Sequence, residues 1–335
     1  MKKSKLTLLI LSLFLFLTAC TSTDNNSDQI KIGILNTPND VAVARNLNYF
    51  EKEFPGKQLK FITFDSGVDA NKALMSGGVD FATMGDTNGV VALTADIPVK
   101  LLWINEICGN NEQLIVKKSS NIKNIQDLKG KKIATPFAST SHYSLMIVLK
   151  KYHLEDKVTV LDMDTQNIVA AWKRGNIDAA YTWQPTLTQL QSDGKTLLDS
   201  STLGNWGYST GNVTLVRDQF LKDRPKDVEK FVKVLSKAHK LRKSNYHLAV
   251  KAAAKQTGIS VSDADKQMKG TDWISIDQEY STNYLGNKRN IGQFVKEMQV
   301  AGKFMYGQQT ISYAPGFDEF NNFTYRFGGD QFWKH

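Results

Sequence analysis

Ala73-Leu-Met-Ser-Gly-Gly-Val-Asp-Phe-Ala82 and Ala171-Trp-Lys-Arg-Gly-Asn-Ile-Asp-Ala-Ala180 share one pattern, Ala-apolar-x-x-Gly-x-apolar-Asp-x-Ala, ninety-eight positions apart. Each reads as the end of a helix, a glycine placed for the left-handed C-terminal cap, and the start of a buried strand. A unit used twice in this way predicts two α/β lobes of the same kind rather than one long sheet.

The flanking sequence follows the same grammar. Short apolar runs at Ile30–Leu35, Leu59–Thr63, Val79–Thr83 and Val99–Trp103 alternate with helical patterns such as Asp40–Phe50. The alternation recurs at Lys132–Ala134, Ser144–Tyr152, Val158–Met163, Ile168–Lys173 and Ile177–Trp183, which predicts an α/β fold. From about Lys222 the pattern turns helical, with Phe231, Val232 and Leu235, then Ile291, Phe294, Val295 and Met298, as expected core faces. Gln113–Lys118 and Val213–Asp218 read as two strands crossing between the lobes, with a ligand cleft between them. The expected division is 30–113 with 218–335 as the first lobe and 114–217 as the second.

The chain has 335 residues, 41% hydrophobic and 10% aromatic, which is enough for a core in each lobe and excludes intrinsic disorder. Two cysteines exclude a disulfide scaffold or a four-cysteine zinc site. No basic run with interleaved aromatics appears, so no nucleic-acid partner is expected, and neither is a cofactor or metal.

At the N-terminus, Lys2, Lys3 and Lys5 precede an apolar run, Leu6–Leu17, that is short for a membrane span and suits a signal-peptide core. Leu17-Thr-Ala-Cys20 resembles the bacterial lipoprotein lipobox. That resemblance implies removal of residues 1–19, lipidation of Cys20, and a membrane-anchored protein on the extracytoplasmic face of the cell membrane. Residues 20–29, rich in Ser, Thr, Asn and Asp, are expected to form a flexible tether. Without residues 1–19 the net charge of +9 falls to +6, and Cys108 is left with no thiol to pair with.

Ligands of open α/β sheets sit beyond the carboxyl ends of strands, at the N-termini of the next helices. Three such turns stand out: Asn36-Thr-Pro-Asn-Asp40, Gly85-Asp-Thr-Asn88, and Pro136-Phe-Ala-Ser-Thr-Ser-His-Tyr143. In the third, Ser139, Thr140 and Ser141 open a helix whose first N–H groups lack intrahelical partners, which suits either an anion or plain N-capping. Tyr143 follows on the same helix. Trp183 ends the second repeat's strand, where an aromatic reaches the cleft, and Trp206 and Tyr208 could do the same or serve the core. Asp40, Asp65, Asp86 and Glu112 are the acids nearest the inferred cleft, and Thr87 adjoins Asp86.

These segments resemble the substrate-binding lipoproteins of ABC importers, in the branch that binds taurine, alkanesulfonates and nitrate. The likeness covers roughly residues 30–315 and is carried by Pro136–Leu145 and Ala170–Pro185, with support from Phe64–Gly67, Gly109–Glu112 and Gly204–Gly207. It is nearest to taurine-binding proteins. It implies a type II periplasmic-binding fold that closes on a small sulfonate and, as a monomer, presents it to an ABC permease. It also implies that Ser139, Thr140 and Ser141, with their backbone amides, hold the sulfonate, that Trp183 packs on the ligand, and that Asn36 supplies an amide. Relatives carry an acid shortly before the second crossing where this chain has Asn212, whereas Asp86 stands where they carry a Ser-like residue. Either Asp86 has taken over the amine or it caps its helix. A different small ligand, such as a plain alkanesulfonate, an amino acid, nitrate or a pyrimidine precursor, is the alternative. Catalysis is not expected, because none of the five histidines lies in a zinc-hydrolase motif and no nucleophile elbow is present.

Overall fold

The computed structural model describes residues 28–287 and 289–327. The expected signal peptide, Cys20, most of the expected tether and the last residues of the aromatic C-terminus lie outside the described residues.

Along the chain, the strands are β1 (Gln29–Ile34), β2 (Gln58–Thr63), β3 (Phe81–Gly85), β4 (Val99–Cys108), β5 (Glu112–Lys117) and β6 (Lys132–Thr135). They continue with β7 (Thr159–Asp162), β8 (Ala179–Trp183), β9 (Gly194–Asp199), β10 (Gly211–Arg217) and β11 (Thr271–Asp272). Two mixed sheets result, ordered β11-β4-β10-β3-β1-β2 and β7-β6-β8-β5-β9. Helices cover both, so the fold is α/β.

The two sheets are built alike. In each, three parallel strands (β2-β1-β3 and β7-β6-β8) are followed by one antiparallel strand, β10 in the first sheet and β5 in the second. The repeated sequence explains this at the level of single atoms. Gly77 (φ 72°) and Gly175 (φ 74°) end their helices in the left-handed region, where a Cβ would be strained. One residue on, the Gly78 and Asn176 N–H groups return to the carbonyls of Ala73 and Ala171, at 2.8 and 2.9 Å. The aspartate of each copy then pins its strand to the middle one of the three parallel strands, β1 or β6. Asp80 Oδ2 accepts from the Lys31 N–H and Asp178 Oδ2 from the Lys132 N–H, both at 2.8 Å. Their own N–H groups donate back to the carbonyls of Lys31 and Lys132.

The predicted crossings need correction. β5 lies wholly in the second sheet, and β10, expected inside the second lobe, lies wholly in the first between β3 and β4. Val213, Leu215 and Val216 are buried there, so that strand has its own sheet to fill. The chain passes between sheets just before each strand, at 109–111 and 206–210. The segment Asp40–Phe50 is also not one helix. Asp40–Asn46 ends at Leu47, Asn48 adopts φ 55°, and a second helix starts at Tyr49.

The helical C-terminal half packs on the first sheet, with Phe231, Val232 and Leu235 in one cluster and Ile291, Phe294, Val295 and Met298 in another. The helix Gln293–Gly307 also reaches the second sheet's core, because Ala301 is buried there and Phe304 meets Tyr143 edge-on, with ring centroids 5.5 Å apart.

Candidate functional site between the two sheets

A cavity of about 400 Å³ opens between the sheets, at the carboxyl ends of β3 and β8 and beside the last residues of β4. Strand pairing sets its floor. Asn212 lies between Gly85 and Glu106 in the first sheet, and Glu112 lies beside Trp183 in the second. All five of these residues line the cavity.

Its lining has an unusual charge balance. Three carboxylates face it, those of Asp65, Glu106 and Glu112, and among the described residues no lysine, arginine or histidine does. The positive pole comes instead from backbone. The helices Gly67–Ser76, Thr140–Lys151 and Thr165–Arg174 all begin at its wall, where their first residues are lining residues. Each presents N–H groups and the positive end of a helix dipole. Phe64, Val68, Phe137, Val169 and Trp183 supply apolar wall.

Glu112 is the most tightly held acid. Its Oε1 accepts from the hydroxyls of Thr140 (2.6 Å) and Ser141 (2.7 Å), and its Oε2 from those of Ser200 (2.7 Å) and Thr210 (3.5 Å). Charge-assisted bonds of this kind let a buried carboxylate stay in place. Glu106, 3% exposed, accepts at Oε1 from Asn212 Nδ2 at 2.7 Å. Burial pushes its carboxyl above the usual range, the Asn212 bond offsets this in part, and Asp40 adds to the rise.

The predicted site residues divide in two. Asn36, Glu112, Ser139, Thr140, Trp183 and Asn212 meet at the cavity. Asp86, Thr87, Ser141 and Tyr143 do not line it. Asp86 lies behind the wall, its Oδ1 accepting from the Thr87 N–H (2.7 Å) and its Oδ2 from the Gly211 N–H (3.2 Å). Burial first, then the charges of Glu112 and Glu297, raise its carboxyl well above the ordinary range. The structure therefore favours a local backbone role for Asp86 over contact with an amine. Tyr143 packs on Phe304, and Trp206 and Tyr208 pack on the second sheet's core. Asp40 is fully buried on Trp103, Asn105 and His239.

In the hydroxyl turn the capping alternative is the one seen at Ser139. Ser139 Oγ caps its own helix through the His142 N–H (3.1 Å), and the Thr140 and Ser141 hydroxyls are given to Glu112. What the turn leaves for an anion is backbone N–H rather than side-chain hydroxyl.

Sequence reasoning missed Glu106 because the run Val99–Trp103 was read as ending too early, whereas β4 continues to Cys108. β4 also shifts register twice against β10, at Asn212/Val213 and Thr214/Leu215, so two-residue alternation does not put Glu106 on the face of Ile104 and no pattern singled it out. Asn88, in the second predicted turn, was also missed. Its Nδ2 donates to the Ala138 carbonyl at 2.7 Å and so bonds one side of the cavity to the other.

With this geometry in view, comparison with known proteins is decisive. The NMT1/THI5-like family description matches residues 39–245. The chain belongs to that family. It is 35% identical over 266 residues to the taurine-binding periplasmic protein of Escherichia coli, a match covering 76% of this chain and 82% of that one. It is 27% identical over 246 residues to a putative aliphatic sulfonates-binding protein of Bacillus subtilis, covering 70% and 73% of the two chains. Among solved structures, the alkanesulfonate-binding protein SsuA of Xanthomonas axonopodis, bound to MOPS, superposes with a TM-score of 0.71 at 21% identity, covering 86% of this chain and 95% of that one. That likeness shows the fold, and this NMT1/THI5-like chain has the architecture of periplasmic binding proteins.

Proposed function

We propose that the protein is the extracytoplasmic solute-binding component of an ABC importer. In this reading it is lipid-anchored at Cys20, captures taurine or a close aminosulfonate between its two sheets, and delivers it to a permease. The observation that carries the reading is the charge balance of the cavity, with three carboxylates, no basic side chain among the described residues and three helix N-termini. A plain anion such as nitrate or an alkanesulfonate would meet uncompensated carboxylates there. A zwitterion brings its own compensating charge. Its ammonium pairs with Glu106, while its sulfonate takes the N–H groups at the helix starts.

Asn212 then has a defined place. It does not contact the amine with a charge of its own but orients the Glu106 carboxylate, so the acid expected at position 212 is supplied one strand away. Trp183 would lie against the two-carbon spacer. The taurine-binding relative supports the choice of ligand.

The site suits binding rather than chemistry. Burial, then the charges of Glu112, Glu106 and Asp86, drive the Cys108 thiol well above its ordinary range, so the nucleophilic thiolate is suppressed. His142 stacks on Phe137, with centroids 4.2 Å apart, instead of facing a nucleophile.

The test is thermal unfolding of the mature chain against taurine, its hydroxyl analogue, a plain alkanesulfonate, β-alanine and nitrate. A ligand at 100 times its Kd adds about 2.7 kcal/mol of stability. Taurine should raise Tm well above the amine-free sulfonates. Equal shifts for taurine and its hydroxyl analogue would sink the zwitterion reading.

A further inference from the structure

The helix Pro225–Ser244 contains seven basic residues and two acidic ones, and no acid follows Glu229. Lys226, Lys230, Lys233, Lys237 and Lys240 recur at intervals of four and three, which places them within about 80° of one another around the helix. At about 1.5 Å per residue the stripe is about 21 Å long. Lys226, Lys233, Lys237 and Lys240 are exposed. The opposite face, with Phe231, Val232, Leu235 and Ala238, is buried in the first sheet's core, so the stripe is held in one direction. Two of its ammonium groups lie over aromatic rings of the segment Tyr49–Phe54, Lys230 at 5.8 Å from the Phe54 centroid and Lys237 at 4.2 Å from that of Tyr49.

A second observation fixes where this face points relative to the chain's N-terminus. Arg224, immediately before the helix, donates from Nη1 to the Gln29 carbonyl at 2.7 Å. Asp28 is paired with Lys57 at 3.0 Å. The chain therefore enters the fold at the foot of the basic helix. From Cys20 to Asp28 is eight residues, which span at most about 28 Å when fully extended. A lipid on Cys20 would hold this end of the molecule close to the bilayer.

We propose that the lysine stripe of Pro225–Ser244 is a docking surface for anionic phospholipid headgroups, holding the anchored protein in a set orientation on the membrane. The proposal rests on the lipid anchor for its biological setting, but the surface itself is independent of it. A row of ammonium groups on a rigid face is attracted to an anionic leaflet, over a range set by a Debye length of about 8 Å at physiological salt.

The experiment uses the chain from residue 20 with Cys20→Ser, which carries no lipid, and vesicles of phosphatidylcholine with or without 30% phosphatidylglycerol. Co-sedimentation should occur with the anionic vesicles only and should be abolished by 0.5 M NaCl. The triple variant Lys226→Gln/Lys233→Gln/Lys240→Gln should partition at least tenfold more weakly, with its circular dichroism unchanged. A control triple variant in the second lobe, Lys123→Gln/Lys129→Gln/Lys173→Gln, should bind like the parent. Absence of binding to anionic vesicles, equal binding to both vesicle types, or equal loss in the control variant would each overturn the proposal. Incorporation of a labelled fatty acid at Cys20 in cells, compared with Cys20→Ser, tests the anchor separately.

Discussion

Asn212 donates its side-chain amide to the Glu106 carboxylate at 2.7 Å, across the pairing of β10 with β4, and both residues face the cavity. The pair places a negative charge where the neutral residue alone would not. Glu106→Gln should therefore weaken taurine about 10- to 100-fold by calorimetry, the range of a charge-assisted hydrogen bond of about 1.5–3 kcal/mol. Affinity for the hydroxyl analogue should change little. The double variant Glu106→Gln/Asn212→Asp moves the carboxylate across the same pair and should recover most of the loss. Failure of the double variant to recover would place the ammonium elsewhere, with Asp65, the other acid of the cavity wall, the next to test.

The same carboxylate makes binding dependent on pH. Burial raises Glu106 above the ordinary glutamate range, and an ammonium partner favours its charged form. Taurine binding therefore selects the ionised acid. As pH falls through the raised value, free protein takes up a proton and apparent affinity drops, approaching tenfold per pH unit. The fall should begin above about pH 4.3, where an unperturbed glutamate titrates. Calorimetry from pH 8 to pH 4 should show this slope in the parent and a flatter one in Glu106→Gln.

Asp86 should prove to be a stability residue. Its two oxygens hold the Thr87 and Gly211 N–H groups, so Asp86→Ala leaves two buried donors unpaired. At acid pH the cost should be about 2–4 kcal/mol in denaturant melts. At pH 8 it should be smaller. A carboxyl with a raised folded pKa loses stability as pH rises through its unfolded value, and alanine removes that loss. The taurine-induced rise in Tm should survive the substitution. Its disappearance would return Asp86 to the ligand.

What could be read in the sequence follows from how local each feature is. The repeated Gly and Asp act within one helix–strand unit, through Gly77 and Gly175 as caps and Asp80 and Asp178 as strand pins, so their pattern survives as text. The strand-end turns are local too, which is why Asn36, Thr140 and Trp183 fall at the cavity. The role of Asn212 is not local. It depends on a partner about one hundred residues away in sequence, Glu106, reached only once β10 has settled beside β4. The hydroxyl turn was ambiguous for a similar reason, since its partner Glu112 sits on another strand of the second sheet, 28 residues earlier in the chain. Assigning β10 to the second lobe reversed which sheet it completes, because a buried apolar strand reads alike in either.

The clearance between the two halves of the site gives a last test. A Cβ on Gly85 would stand 2.9 Å from Thr140 Cγ2, a methyl held in place by that residue's bond to Glu112. Gly85 has φ −62°, so alanine is permitted by its backbone and acts through this contact alone. Gly85→Ala should push the β3 turn away from the start of the helix Thr140–Lys151 and strain the Asn88–Ala138 bond. Overpacking of this kind costs about 1–3 kcal/mol. Separating the two sheets would relieve it, so on the proposed closure around ligand the cost would fall on the liganded form. Taurine affinity should therefore drop about tenfold or more, while the melting temperature of the free protein moves little. Small-angle scattering should show a larger radius of gyration for the variant with taurine than for the parent with taurine. Unchanged affinity in Gly85→Ala would mean that ligand binding does not require this approach of the two sheets.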